Sequence, residues 1–140
     1  MTTVPTDPRA RLRLVVGRPR WAIVSLVAIV IAAALLYTWN IGYSGLSTYY
    51  AASAASMSES WHNLVVGALN RSATISLDKL SGFLVPQAFM IRLFGVHAWA
   101  LSLPQAVEGV VTVVAAYALG TRWRGPAVGV AAALATAATP

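Results

Sequence analysis

The 140-residue chain contains no cysteine. Disulfides, thiolate nucleophiles and cysteine-ligated zinc are therefore excluded, and thiol content says nothing of the redox compartment. Charge is also scarce: Asp, Glu, Lys and Arg make up 10% of residues, against about 25% in an ordinary soluble domain. Hydrophobic residues reach 58%. A water-soluble fold with so few charges would expose apolar surface prone to aggregation, and a lipid solvent removes that contradiction. Acids are the rarest charged class, four against ten basic residues, for a net charge of +6.

That positive charge is concentrated rather than spread. Arg9, Arg11, Arg13, Arg18 and Arg20 face one acid, Asp7, and the cluster directly precedes a long apolar run. This is the arrangement of a juxtamembrane anchor, and no aromatic-interleaved basic surface follows that would suit nucleic acid. Trp21 to Trp39 carries no charge, and at ~1.5 Å per residue it spans about 28 Å, close to the ~30 Å hydrocarbon core. Read as a cleaved signal peptide, its apolar region would be unusually long, and LLYTWN after Ala34 offers no small-x-small cleavage site. The run reads as a first transmembrane helix, 21–39, behind a cytoplasmic tail, 1–20.

Residues 40–98 are polar enough to form an outer loop, with helices expected at about 48–68 and 83–95 and a turn at Asn70–Thr74. Asn70-Arg71-Ser72 matches a glycosylation sequon. Leu80 to Phe94 is apolar but short, and is interrupted by Pro86, Gln87 and Arg92. If it crossed the membrane, the next helix would carry Arg122 and Arg124 outside, against the positive-inside bias. If it lies flat in the interface, those arginines join the N-terminal tail in the cytoplasm. The flat reading is the consistent one. Residues 99–120 then form a second span, 121–125 a basic cytoplasmic loop, and 126–140 the start of a third span, as in a fragment of a longer protein. Trp21, Trp39, Trp99 and Trp123 fall at the proposed boundaries, where an amphipathic indole prefers to sit.

A connector between helices needs only about 2–8 residues, so a loop this long is expected to carry function. Asp78-Lys79 joins its polar part to the flat segment. An ammonium at headgroup depth can pair with a phosphate, and an adjacent carboxylate can act as base or metal ligand. The alternative is a snorkelling pair that anchors the segment. Glu59 and His62, three apart, would share a helix face and fit either part of a divalent-metal site or a solvated hydrogen-bonded pair. Glu108, with Gln105 one turn before it, is the one acid inside a span, which marks either a paired or a functional group.

The ordered series of motifs resembles the GT-C glycosyltransferases, closest to the protein O-mannosyltransferase-like branch of family 39 type that includes the bacterial aminoarabinose transferases. The series is Tyr49-Tyr50-Ala51-Ala52, Ser58 to Asn63, Ile75 to Lys79, Gln87-Ala88, Arg92 to Gly95, Leu103-Pro104-Gln105 and Glu108-Gly109. The resemblance implies an all-α polytopic membrane enzyme with interfacial helices in a long first outer loop. It implies an inverting hexosyl or pentosyl transferase, taking a sugar from a polyprenyl-phosphate donor to a protein, lipid or glycan acceptor at the outer face of the cell (inner) membrane. The family's acid-Lys-Pro motif maps its donor-phosphate lysine onto Lys79 and the preceding acid onto Asp78. Leu80 stands where the family has proline, and Asn40 to Tyr50 lacks the carboxylate many members carry there. The site expected is therefore Asp78 and Glu59 as catalytic acids, Lys79 and Arg92 for the donor phosphate, and Asp78 with His62 for a divalent metal. Two other classes fit the same residues: a transporter or flippase of a lipid-linked substrate, with Glu108 as coupling group, and a non-catalytic membrane fragment.

Overall fold

A computed structural model describes residues 19–42 and 48–139. The expected tail arginines Arg9, Arg11, Arg13 and Arg18 lie outside the described residues. Among those residues the chain is all-helical apart from one isolated antiparallel bridge, Ala68 to Ser76. Helix α1 spans Arg20–Thr38, α2 Thr48–Glu59 and α3 Trp61–Val66. A 3-10 turn at Ser81–Leu84 leads into α4, Val85–Phe94, followed by α5, Ala98–Arg124, and α6, Pro126–Ala137. The contacts divide the chain into two units, residues 34–109, and residues 1–33 with 110–140.

Among the described residues two helices, α1 and α5, are long and apolar enough to cross a membrane, whereas α6 has 12 residues. On α1 only Ala22, Ile29 and Ala33 are buried, while Ile23, Val24, Val27 and Ile31 stand exposed. A helix apolar on every side finds its natural solvent in hydrocarbon.

In the unit that includes residues 110–140, α5 meets α6 at unusually close range. A Cβ built on Gly120 would lie 3.0 Å from the Cα of Gly129, and one on Gly129 would run into the Thr121 hydroxyl. Paired small residues permit this backbone approach, as they do between membrane helices. The segment 121–125 was expected as a loop, but α5 continues through Arg124 and only Gly125 lies outside helix. Thr121 to Arg124 contains no helix breaker; Gly125 adopts φ +95°, and Pro126 opens the next helix at a position where its missing N–H costs nothing.

The unit 34–109 is organised around α2 and α4. Small residues on α2 let the two helices pack: Ser53, Ala54, Ser56 and Met57 are buried. Met57 joins Leu77, Leu84 and Ala88 in one cluster, and Ala54 joins Ile91 and Leu101 in another. The single helix expected over 48–68 is split at Ser60. That residue takes extended backbone angles, φ −149° and ψ 160°, and its side chain accepts the Asn63 N–H as the cap of α3.

After α3 the chain turns at Gly67, which adopts φ +62°, and folds into a short hairpin. The N–H of Leu77 donates to the Gly67 carbonyl at 2.8 Å and that of Leu69 to the Ile75 carbonyl at 2.8 Å. The turn expected at Asn70–Thr74 forms its tip, where the Asn70 carboxamide oxygen accepts from the N–H groups of Thr74 and Ile75. The chain leaves this hairpin directly into Asp78 and Lys79.

Candidate functional site

Two adjacent tyrosines in the first turn of α2 meet the two adjacent charged residues that leave the hairpin. The Tyr49 hydroxyl donates to Oδ1 of Asp78 at 3.1 Å. The Lys79 ammonium donates to the Tyr50 hydroxyl at 3.0 Å and lies 5.7 Å from the centre of that ring. Tyr50 is braced edge-on by Tyr49, with ring centres 5.4 Å apart, and by Phe83, at 5.6 Å. Asp78 and Lys79 are exposed, so an incoming molecule can reach both.

The electrostatics favour a fixed protonation pattern. The Tyr50 hydroxyl bond first, then the negative charge available on Tyr50 and Asp78, hold the Lys79 ammonium above its ordinary value of 10.5. Desolvation, followed by the hydrogen bond to Asp78 and its charge, holds the Tyr49 phenol above 10.0. At neutral pH the site therefore presents a cation and a neutral phenol donor beside Asp78.

The other expected site residues are held elsewhere. Glu59 pairs with Arg71, the Arg71 Nε lying 2.7 Å from Glu59 Oε1. Glu59 and His62 do not share a helix face, because the extended Ser60 separates the end of α2 from α3. His62 is exposed, and no group of three or more His, Cys, Asp or Glu among the described residues is placed to hold a metal. Arg92 lies over the Trp61 ring at 4.7 Å, and Phe89 meets that indole edge-on at 5.9 Å. Its guanidinium is thus steered by an aromatic face. Gln105 and Glu108 are both exposed on α5. Glu108 is the one charged residue lining a groove of about 400 Å³, whose walls are Pro86, Phe89 and Met90 of α4 and Leu103, Pro104 and Val107 of α5.

Sequence reasoning assigned no role to the tyrosines, although the Tyr-Tyr and Asp-Lys pairs share one spacing of 29 residues in both hydrogen bonds. It also missed Asn63, which is buried and fully engaged. The Asn63 amide nitrogen donates to the carbonyls of Ser56, at 3.1 Å, and Arg71, at 3.0 Å, while its oxygen accepts from the Ser60 hydroxyl at 2.9 Å.

Comparison with known proteins agrees with the motif series. Residues 83–140 match the family model described as dolichyl-phosphate-mannose-protein mannosyltransferase. Two proteins of Bacillus subtilis (strain 168) named as inferred mannosyltransferases are each 34% identical to this chain. YycA matches over 117 residues, 83% of this chain and 17% of its own length. YkcB matches over 95 residues, 67% of this chain and 13% of its own length. The chain thus spans less than a fifth of either relative. No solved structure gives a significant match. Kinship of this kind, together with two helices of membrane-spanning length and hydropathy, makes this a membrane protein, and the chain is a GT-C-type, mannosyltransferase-like protein.

Proposed function

We propose that the chain forms the donor-binding part of a glycosyltransferase that takes a sugar from a polyprenyl-phosphate donor at the outer face of the cell membrane. The protein is polytopic in the GT-C manner, with α1 and α5 as spans, α6 as part of a third, and α2 to α4 as interfacial helices in the first outer loop. The N-terminus is cytoplasmic, because the arginine cluster before α1 and Arg122 and Arg124 after α5 then share one side.

One observation carries this reading: the Lys79 ammonium is exposed, bonded to Tyr50 and set beside the Asp78 carboxylate, in a chain related to proteins named mannosyltransferases. A cation of this kind matches a phosphate at headgroup depth. It acts where charge develops, on the phosphate that departs with the electron pair of the broken sugar–oxygen bond. The acceptor hydroxyl oxygen forms the new bond to the anomeric carbon from the opposite face, which inverts that centre. Its proton goes to a carboxylate, and Asp78 is the nearest candidate by sequence and structure. Tyr49 occupies one Asp78 oxygen, and the second carries no hydrogen bond among the described residues. Glu59 is the alternative base only if its pairing with Arg71 is released. Arg92 serves the donor phosphate from its place on Trp61, and Asp78 with His62 would need further ligands from outside the described residues to hold a divalent metal.

Sugar transfer from a radiolabelled polyprenyl-phosphate donor by the full-length protein, wild type against Lys79→Ala, tests the proposal. Loss of transfer with rising donor KM is expected. Undiminished transfer in the variant removes Lys79 from the site.

A further inference from the structure

We propose that Asn63 is the positioning residue of the Asp78–Lys79 pair, acting through the hairpin that delivers it. The pair itself is exposed, and its bonds to the tyrosines orient two side chains without fixing where the hairpin sits. What fixes its approach to Tyr49 and Tyr50 lies underneath. The hairpin is tied to α2 by the Ser53 hydroxyl, which donates to the Ala68 carbonyl at 3.4 Å, and by the Ser56 hydroxyl, which donates to the Leu69 carbonyl at 3.1 Å. Asn63 completes the tie, since one amide nitrogen spans the Ser56 carbonyl on α2 and the Arg71 carbonyl in the hairpin.

The direction of effect follows from the connectivity. Tyr49 and Tyr50 stand on α2, and Asp78 and Lys79 follow immediately on the returning arm of the hairpin, Ser76-Leu77. Any slip of the hairpin along α2 therefore shifts the charged pair against the tyrosines. Asn63 is 5% exposed, and losing its donor leaves the buried Ser56 carbonyl and the part-buried Arg71 carbonyl without that partner, so the tie is stiff where the site is open. The Ser60 hydroxyl, itself held by the Asn63 backbone N–H, donates to the carboxamide oxygen and so turns the nitrogen toward the two carbonyls. The side chain never touches the reacting groups, and its role is placement.

The inference rests on Lys79 being the donor-phosphate group, and the test separates the two claims. Asn63→Asp keeps the side-chain shape and removes the N–H groups. In the full-length protein it is expected to raise the donor KM about tenfold and to lower kcat as well, because the phosphate-binding ammonium and the candidate base move together. Independently of transfer, Lys79 acylation by an amine-reactive ester, followed by peptide mapping, should speed up about threefold as the ammonium loses its Tyr50 acceptor. Should Asn63→Asp fail to fold, Ser56→Ala removes one tie and is expected to move both readouts in the same direction by less. Wild-type acylation rate in both variants overturns the inference, as does an unchanged donor KM. Faster acylation with no sugar transfer by the wild type upholds the positioning role and sinks the glycosyltransferase reading instead.

Discussion

Lys79 donates its ammonium hydrogen to the hydroxyl of Tyr50, 29 positions earlier in the chain, at 3.0 Å. Each partner changes what the other can do: the phenol holds a flexible lysine in one direction, and the ammonium leaves the Tyr50 O–H free to serve as a donor. Replacing Tyr50 by Phe should therefore weaken donor binding while leaving the charge of Lys79 in place. A several-fold rise in donor KM is expected, about threefold to tenfold for the loss of one charge-assisted bond at a solvent-accessible site. An unchanged KM would show that the pairing is incidental to binding.

The pH dependence has a definite sign. Because the folded protein holds Lys79 above its ordinary 10.5, the associated stabilisation is complete below that ordinary value. It is lost as pH rises through the elevated one. Donor KM should thus show no inflection from Lys79 between neutral pH and the alkaline limit of stability, and Lys79→Arg should retain binding over that range. A titration of donor KM near neutrality that vanishes in Lys79→Arg would contradict the assignment.

Gly67 is expected to be intolerant for two separate reasons. It holds φ +62°, and a Cβ there would sit 2.6 Å from the Cβ of Ser81, the first residue of the 3-10 turn. Gly67→Ala should cost about 1–3 kcal/mol, from backbone strain plus the displaced neighbour. Thermal unfolding in detergent reads this directly, and a Tm equal to that of the wild type would refute the described turn.

Gln87 is 2% exposed, and neither polar atom of its carboxamide has a partner among the described residues. A buried amide left in that condition costs about 1–3 kcal/mol. Gln87→Met, similar in volume and apolar, should raise Tm without loss of helicity. A lower Tm would mean that the carboxamide bonds to a group beyond the described residues.

The exposed pair of Glu59 and Arg71 separates structure from catalysis. Arg71→Ala should change stability by less than about 1 kcal/mol, as surface pairs do. Glu59→Gln should leave the transfer rate within about threefold of wild type if Asp78 is the base, whereas a general base contributes roughly 10²–10⁴-fold. A Glu59→Gln loss in the latter range would move the base to Glu59.

What was legible in the sequence follows from which forces act locally. The uncharged run Trp21–Trp39 and the tryptophans at the proposed span ends announce a lipid solvent because burial in lipid depends on composition alone. Asp78-Lys79 was legible as a candidate pair through its neighbours in a motif series, whereas its pairing with Tyr49 and Tyr50 was not. The split at Ser60 was hidden in an alanine-rich stretch whose helix propensity runs through it; it depends on Ser60 finding Asn63. Asn63 itself could not be read, since both carbonyls it binds become neighbours only after the hairpin folds back onto α2. The helical continuation through Arg124 was not legible because two arginines in a short polar stretch resemble a loop, although both are compatible with a last helical turn.

The donor-binding account stands on Lys79 facing the exterior at headgroup depth. These 140 residues are free of cysteine, so Lys79→Cys adds one thiol to this segment, and its side of the membrane is read with an impermeant maleimide on intact cells as labelling above that of the wild type. Labelling from outside, blocked by a prior external thiol reagent, is the predicted result. Labelling only after permeabilisation would put residue 79 in the cytosol and contradict the account.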